Sequence, residues 1–341
     1  MLSKETLKVS KIVAVGFLTA AGLALLLWSL WFLRELVLVF LSAYLLMLAL
    51  QKPIRKLIKW THLPKPAAVA IVYVLTLVVS IVLVSLILPA LITELSNLFR
   101  QIDMSTLAPG LAEELSAFNY SLSEISEIFS RFASSFGAVF KVIGNTFSVL
   151  FMGVTLFVVS IHLSMEHNNF YKKIYWVTKN EDKVVKVQKF FLMMEKELGG
   201  WISGQVLLMI IMGCLVGIGL QLIGVPYALP LGILAGMLEI VPNIGPIVAA
   251  VPAITLAIIY GGWPMAIWTT VFSAVIQQLE NVLIVPTIMK NTADVSPIIS
   301  ILLILAGYQI LGVIGALLAV PIYIAIRAIY SFWFKDKILN L

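Results

Sequence analysis

Hydrophobic positions in this chain fall into blocks of roughly 20 residues, and the polar positions collect between them. Ile12–Leu33, Glu35–Leu50, Ala67–Leu88, Phe147–Leu163 and Trp201–Ile223 are almost unbroken apolar runs. A bilayer hydrocarbon core of about 30 Å is crossed by a helix of about 20 such residues, so each run predicts a membrane span. The first two are expected to meet at a tight corner, Arg34-Glu35, and the third to close at Pro89. Residues 90–145 differ in kind. Leu122, Ile125, Phe129, Phe132 and Phe136 recur there at steps of three or four among Ser and Glu, the pattern of an amphipathic helix outside the bilayer core. A second polar stretch, 166–200, holds seven Lys and five acidic residues and predicts one long amphipathic helix.

The last third departs from this rhythm. Ala228–Ile259 is apolar for 32 residues but is broken at its centre by Pro242, Asn243, Gly245 and Pro246, three residues after the acidic Glu239. Proline lacks the backbone donor and clashes with the preceding turn, so this cluster does not sit inside a regular helix. A continuous helix of 32 residues would be about 48 Å long, too long for one span, and each half is too short to cross. The lengths fit a re-entrant hairpin that enters and leaves on one side; a single kinked, tilted helix is the alternative. Pro264–Val285 is a full span ending at Pro286, and a polar linker, Lys290 to Asp294, follows. Ile298–Tyr330 is again about 33 residues, interrupted at Gly307-Tyr308-Gln309 and Gly312, and reads as a second hairpin of opposite hand. Span plus hairpin (201–262), then span plus hairpin (263–334), is an inverted repeat of the kind found in secondary transporters. The expected layout is N-terminal scaffold spans (1–90), an extracytoplasmic helical segment (91–145), the fourth span with a cytoplasmic helix (146–200), a transport core (201–334) and a tail (335–341).

Composition agrees with the pattern. The 341 residues are 61% apolar and only 12% charged, against roughly 45–50% and 25% in soluble domains. The fold class is therefore an all-α polytopic integral membrane protein with about six full spans and two inverted re-entrant hairpins, plus amphipathic extramembrane helices. The net charge of +6 is distributed as topology requires and not as a nucleic-acid surface. With the N-terminus inside, 1–11, 51–66 and 166–200 carry 3, 5 and 7 basic residues, whereas the outer segments hold only Arg34, Arg100, Arg131 and Lys141. Arg327, Lys335 and Lys337 place the C-terminus inside as well. Cys214 is the sole cysteine and reads as a small packing residue.

Glu239 and Glu280 are the two carboxylates inside the apolar tracts of the last third. A charge at bilayer depth costs at least about 2.5–3.5 kcal/mol, so the pair is expected to face each other, a cavity, a cation or a proton. Ser273, Gln277, Glu280 and Asn281 lie at steps of three and four and form one polar stripe on a helix. The stripe could coordinate a polar solute, or it could be hydrogen-bonded glue between helices. The break at 242–246 adds free amides, which favour anions, and free carbonyls, which favour cations; both remain open. Lys290 and Asp294 are a candidate gate, against an ordinary solvated loop pair. His62, His162 and His167 are scattered, and there is no Gly-rich phosphate loop, HExxH pair or GxSxG elbow. Neither a metal site, a cofactor nor enzymatic activity is expected.

YALPLGILAGMLEIVPNIGP (227–246) and QQLENVLIVPTIMKNTADVSPIISILLILAGYQILGVIGALLAVP (277–321) resemble the two signature blocks of the autoinducer-2 exporter family. The resemblance implies a secondary transporter of a bacterial-type cytoplasmic membrane that moves its cargo outward by an elevator-like motion of the hairpin-containing half. It also implies a homo-pentamer, with either autoinducer-2 or sodium(lithium)/proton exchange as the transported chemistry. The positions matching the blocks are Glu239, Pro242, Asn243, Gly245, Pro246, Gln277, Gln278, Glu280 and Asn281, and Gln309 at the second break joins the candidate site. Three readings follow: an exporter of a small polar solute, a monovalent cation/proton antiporter, and a membrane scaffold whose 90–145 segment binds a partner.

Overall fold

A computed structural model describes residues 13–17, 19, 21–22, 25, 28–29, 32–101, 146–167, 180–290 and 295–333. Among them there is no strand, and five helices are long and apolar enough to cross a membrane. Large apolar side chains are widely exposed, among them Phe17, Leu222, Leu229, Trp268 and Val282. Such a surface is tolerable in lipid and not in water.

In chain order the helices are α1 (Arg34–Thr61), α2 (Lys65–Gln101), α3 (Thr146–Glu166), α4 (Glu181–Ile223), α5 (Ala228–Leu238), α6 (Ile244–Leu279), α7 (Val285–Met289) and α8 (Pro297–Trp333), with a π-helical turn at Glu280–Ile284 between α6 and α7. Three apolar clusters hold them together. Leu50 and Ile54 of α1 pack with Ala68, Val72 and Tyr73 of α2 and against Phe157 and Ile161 of α3. Leu45 and Leu48 of α1 pack with Leu198 and Trp201 of α4 and with Ile304, Leu318 and Ile324 of α8. Leu220 of α4, Leu231 of α5 and Leu256 and Ala266 of α6 form the third. The α4–α5 contact is made backbone to backbone: Gly213 and Gly217 on α4 face Gly232 and Gly236 on α5, two small-xxx-small stripes against each other.

Several expected boundaries move. The chain does not turn back at Arg34-Glu35. Leu33 departs mildly from helix (φ −91°, ψ 10°), yet it donates to the Ser29 carbonyl and accepts from the Val37 amide, so the chain bends there. The basic stretch 51–66 is mostly helix, since α1 continues through Lys52, Arg55, Lys56 and Lys59 to a left-handed cap at His62. Charge ends a hydrophobic run without ending a helix, because Lys and Arg are good helix formers. α2 likewise passes Pro89 and reaches Gln101. The expected cytoplasmic helix and fifth span are one 43-residue helix, α4, capped by the Asn180 side chain on the Lys183 amide. Residues 102–145, including the amphipathic pattern from Leu122 to Phe136, lie outside the described residues, as do 168–179.

In the last third, α5 and residues 244–261 of α6 are joined by the turn 239–243 and pack side by side, Ala228 and Leu231 beside Ala253, Leu256 and Ala257. Asn243 takes positive φ (66°) at the head of α6. Gly245 sits against the end of α5, where a Cβ would lie 2.9 Å from the Glu239 nitrogen. At Gly262 (φ 65°, ψ −163°) the backbone leaves helical geometry, separating 244–261 from 263–279. The other interruption lies at Gly312 (φ 63°, ψ −146°) and not at Gly307-Tyr308-Gln309. Gly307 and Gly315 meet backbone to backbone across it, so α8 is two arms folded together. Pro286 does not end its helix: the Val285 amide reaches back five residues to the Glu280 carbonyl, and α7 carries the chain on to Met289.

Candidate functional site

Glu239 ends α5. Its amide donates to the Ala235 carbonyl at 3.0 Å, which fixes the backbone, and its side chain turns inward with only 1% of the residue exposed. Neither carboxyl oxygen has a hydrogen-bond partner of good geometry. Glu280, also 1% exposed, opens the π turn, and its carboxyl faces that of Glu239. Gln277, one turn earlier, donates its amide nitrogen to Glu280 Oε2 at 3.3 Å. From the opposite side Gln205 of α4, itself buried, donates its amide to the backbone carbonyl of Glu239 at 2.5 Å. The break in the chain therefore frees a carbonyl that a side chain from another helix satisfies.

Beside the pair lies a cavity of about 380 Å³, walled by α4, α5 and both arms of α6. Glu239, Thr270, Ser273 and Gln277 supply its polar lining, and Pro246 and small apolar residues such as Ala249 and Ala250 supply the rest. Two like charges side by side in a desolvated site are unfavourable unless something compensates them. A proton or a cation between the carboxyls would supply that compensation.

Of the candidate residues, Glu239, Pro246, Ser273, Gln277 and Glu280 converge on this place. Gly245 is buried in the turn, and Pro242 and Asn243 are half-buried there and shape it. Gln278 and Asn281 do not converge: both are exposed on the outer surface of their helix. Gln278 is one residue, or about 100°, from Gln277. Asn281, four residues after Gln277, opens onto the exposed side at the π turn that starts with Glu280. Gln309 is exposed too, on the helical turn before the break at Gly312. α8 reaches the turn through apolar contacts: Val241 and Ile244 pack on the cluster containing Ile304 and Leu318. Lys290 is exposed, and Asp294 lies outside the described residues. Gln205 and Thr270 escaped the sequence reading. Thr270 extends the same stripe three residues before Ser273, and Gln205 is an amide inside an apolar span.

A second set of polar contacts links the start of α2 to the end of α3, and the first half of α4 to His167 and to α8. Lys65 donates to the Met165 carbonyl at 3.1 Å, His167 Nδ1 lies 3.3 Å from Glu195, and Arg327 lies 3.9 Å from Glu197. Burial first, then Lys65 and Arg55, pushes His167 below the usual histidine range. Among the described residues no three His, Cys, Asp or Glu side chains cluster as metal ligands.

Residues 21–335 match the family described as AI-2E family transporter. "Putative transport protein YrrI" of Bacillus subtilis is 32% identical over 151 residues, 44% of this chain and 42% of that protein. "Putative transport protein MT0215" of Mycobacterium tuberculosis is 40% identical over 106 residues, 31% and 29% of the two chains. A Thermotoga maritima "Putative transport protein" is 26% identical over 245 residues, covering 72% of this chain and 74% of its own. The matches to the Bacillus and Mycobacterium proteins span less than half of their length.

Proposed function

The chain belongs to the AI-2E family of transporters, and from that premise we propose that it is a secondary exporter of a small polar solute, coupled to protons or monovalent cations at Glu239 and Glu280. The observation that carries this reading is the buried, partnerless carboxyl of Glu239 facing Glu280 beside a solute-sized cavity. Membrane-depth carboxyls are costly, and they persist where they bind or relay something. On this reading α5 with 244–261, and the two arms of α8, are opposed re-entrant hairpins, and the half that contains them slides past α1–α3 as an elevator. Residues 51–66, 166–200 and the Arg327 end face the cytoplasm, which is supported by their contacts at one end of the bundle and by their basic charge.

The test is a proteoliposome assay that follows solute efflux, with autoinducer-2 the first cargo to try, and the pH inside the vesicle together. Glu239→Gln and Glu280→Gln are expected to abolish both fluxes while the protein still assembles. Wild-type fluxes in both variants would refute the site. A pure sodium(lithium)/proton antiporter is the second reading, favoured by the carboxyl pair taken without the cavity. It predicts that sodium alone dissipates a preset pH gradient, with no solute required.

A further inference from the structure

Both hydroxyls lining the cavity, and one amide hydrogen of Gln277, are already committed as donors. The Thr270 hydroxyl donates to the Ala266 carbonyl and the Ser273 hydroxyl to the Thr269 carbonyl, each at 2.8 Å. The Gln277 amide donates to Glu280. What these groups turn toward the cavity is chiefly oxygen lone pairs, and the two unpartnered oxygens of Glu239, nine-tenths buried and more, are the strongest acceptors there. Among the described residues no Lys, Arg or His lines the cavity, and most of its wall is Ala, Val, Ile, Leu or Met.

Resting on the transport reading above, we propose that the cargo of this site is an amphiphilic organic cation: a donor-bearing ammonium or amidinium head on a short apolar body. The head answers an acceptor-rich, acidic end of the cavity, where charge-assisted hydrogen bonds are the strong ones. The body answers the apolar walls. At about 380 Å³ the cavity lies in the roughly 300–1,000 Å³ range of small-molecule sites, far larger than a bare ion requires. An anion meets the Glu239 carboxyl and no cation. A solute hydroxylated all round buries groups against walls that cannot hydrogen-bond them. The head and the proton also compete for one place. When the cation binds, the carboxyl O–H breaks and its proton leaves to solvent, so one positive charge replaces another and the charge of the site is unchanged. Export of the cation is thereby exchanged for entry of a proton at the same two residues.

The experiment is calorimetric titration of the purified protein at neutral pH with three probes of one shape: 3-phenylpropylamine, which is protonated, the neutral 3-phenyl-1-propanol, and the anionic 3-phenylpropionate. The amine is expected to bind about tenfold or more tighter than the alcohol, to release protons in buffers of different ionisation enthalpy, and to lose its advantage in Glu239→Gln. Equal binding of the alcohol or the carboxylate, or an advantage that survives Glu239→Gln, overturns the proposal. If Glu239→Gln does not assemble, Ala250→Leu shortens the apolar end instead. It is expected to weaken phenylpropylamine about tenfold and propylamine less than about twofold; equal effects overturn the proposal. The two readings separate cleanly. Glu239-dependent sodium–proton exchange without amine binding sinks the cargo class and spares the transport reading. Amine binding without any flux in vesicles does the reverse.

Discussion

Gln205→Leu isolates the one polar contact that ties the broken turn to a continuous helix. Leu is close to Gln in size, so the chief loss is the hydrogen bond, with a smaller repacking cost. Gln205 and Glu239 are each 1% exposed, and their contact is 2.5 Å long. Removing the donor leaves the Glu239 carbonyl buried without its partner, which costs about 1–3 kcal/mol. Because that carbonyl belongs to the residue whose carboxyl faces Glu280, the same loss frees the carboxyl to drift from its neighbour. Two measurements are needed: unfolding of the purified protein in detergent, and transport against pH in proteoliposomes. The expected result is a destabilisation of that size with a displaced pH profile of transport. Gln205→Leu and Glu239→Gln should also combine less than additively, since groups in one network couple by about 0.5–3 kcal/mol. Lower stability with an unchanged pH profile and additive effects would refute the reasoning, and Gln205 would be reduced to helix glue.

The glycine stripe between α4 and α5 separates two substitutions that look alike in sequence. A Cβ on Gly232 would lie 2.5 Å from Gly217 Cα, whereas one on Gly217 meets nothing nearer than 3.5 Å. Gly232→Ala should therefore lower the unfolding free energy by about 1–3 kcal/mol, and Gly217→Ala should change it little; thermal melts in detergent read both. At the polar end, His167 is held below the usual histidine range by burial, Lys65 and Arg55, so the unfolded chain takes up its proton at a higher pH than the folded one. Stability is then complete above the unfolded pKa of about 6.5 and falls as pH drops below it. Melting temperature against pH should show that decline, and His167→Gln should flatten it.

What could be read from the sequence follows from what hydrophobicity encodes. Each apolar run marked a helix because lipid demands about 20 apolar residues in a span. The helix ends were not legible in the same way. A helix stops where its backbone bonding stops, and neither the charges after Leu50 nor Pro89 stopped it. The turn after Glu239 was legible because two prolines and a glycine within five residues leave no regular alternative. The π turn at Glu280 was not, since one extra residue in a helical turn has no composition of its own. It carries the chain through Pro286 to Met289 without ending the helix. Gln205 escaped for a further reason: its partner is a main-chain carbonyl, and no pattern of side chains records where a freed carbonyl points.

The carboxyl pair also constrains how any sliding motion can be coupled to binding. A ligand shifts a conformational equilibrium only by binding one state better than the other. Here the two carboxyls come from different elements, Glu239 from the turn between α5 and α6 and Glu280 from the π turn beyond 263–279. The first element is locked to α4 by glycines in backbone contact, which leaves no room for one helix to slide on the other. The second is joined to it through Gly262, whose φ of 65° is ordinary only for glycine. A proton or cation shared by the pair exists only while these two elements hold their present distance. Its binding energy is therefore available to favour that state over any in which they part. A site built on one helix would not register the distance between these elements, whereas a pair shared across Gly262 ties occupancy to it.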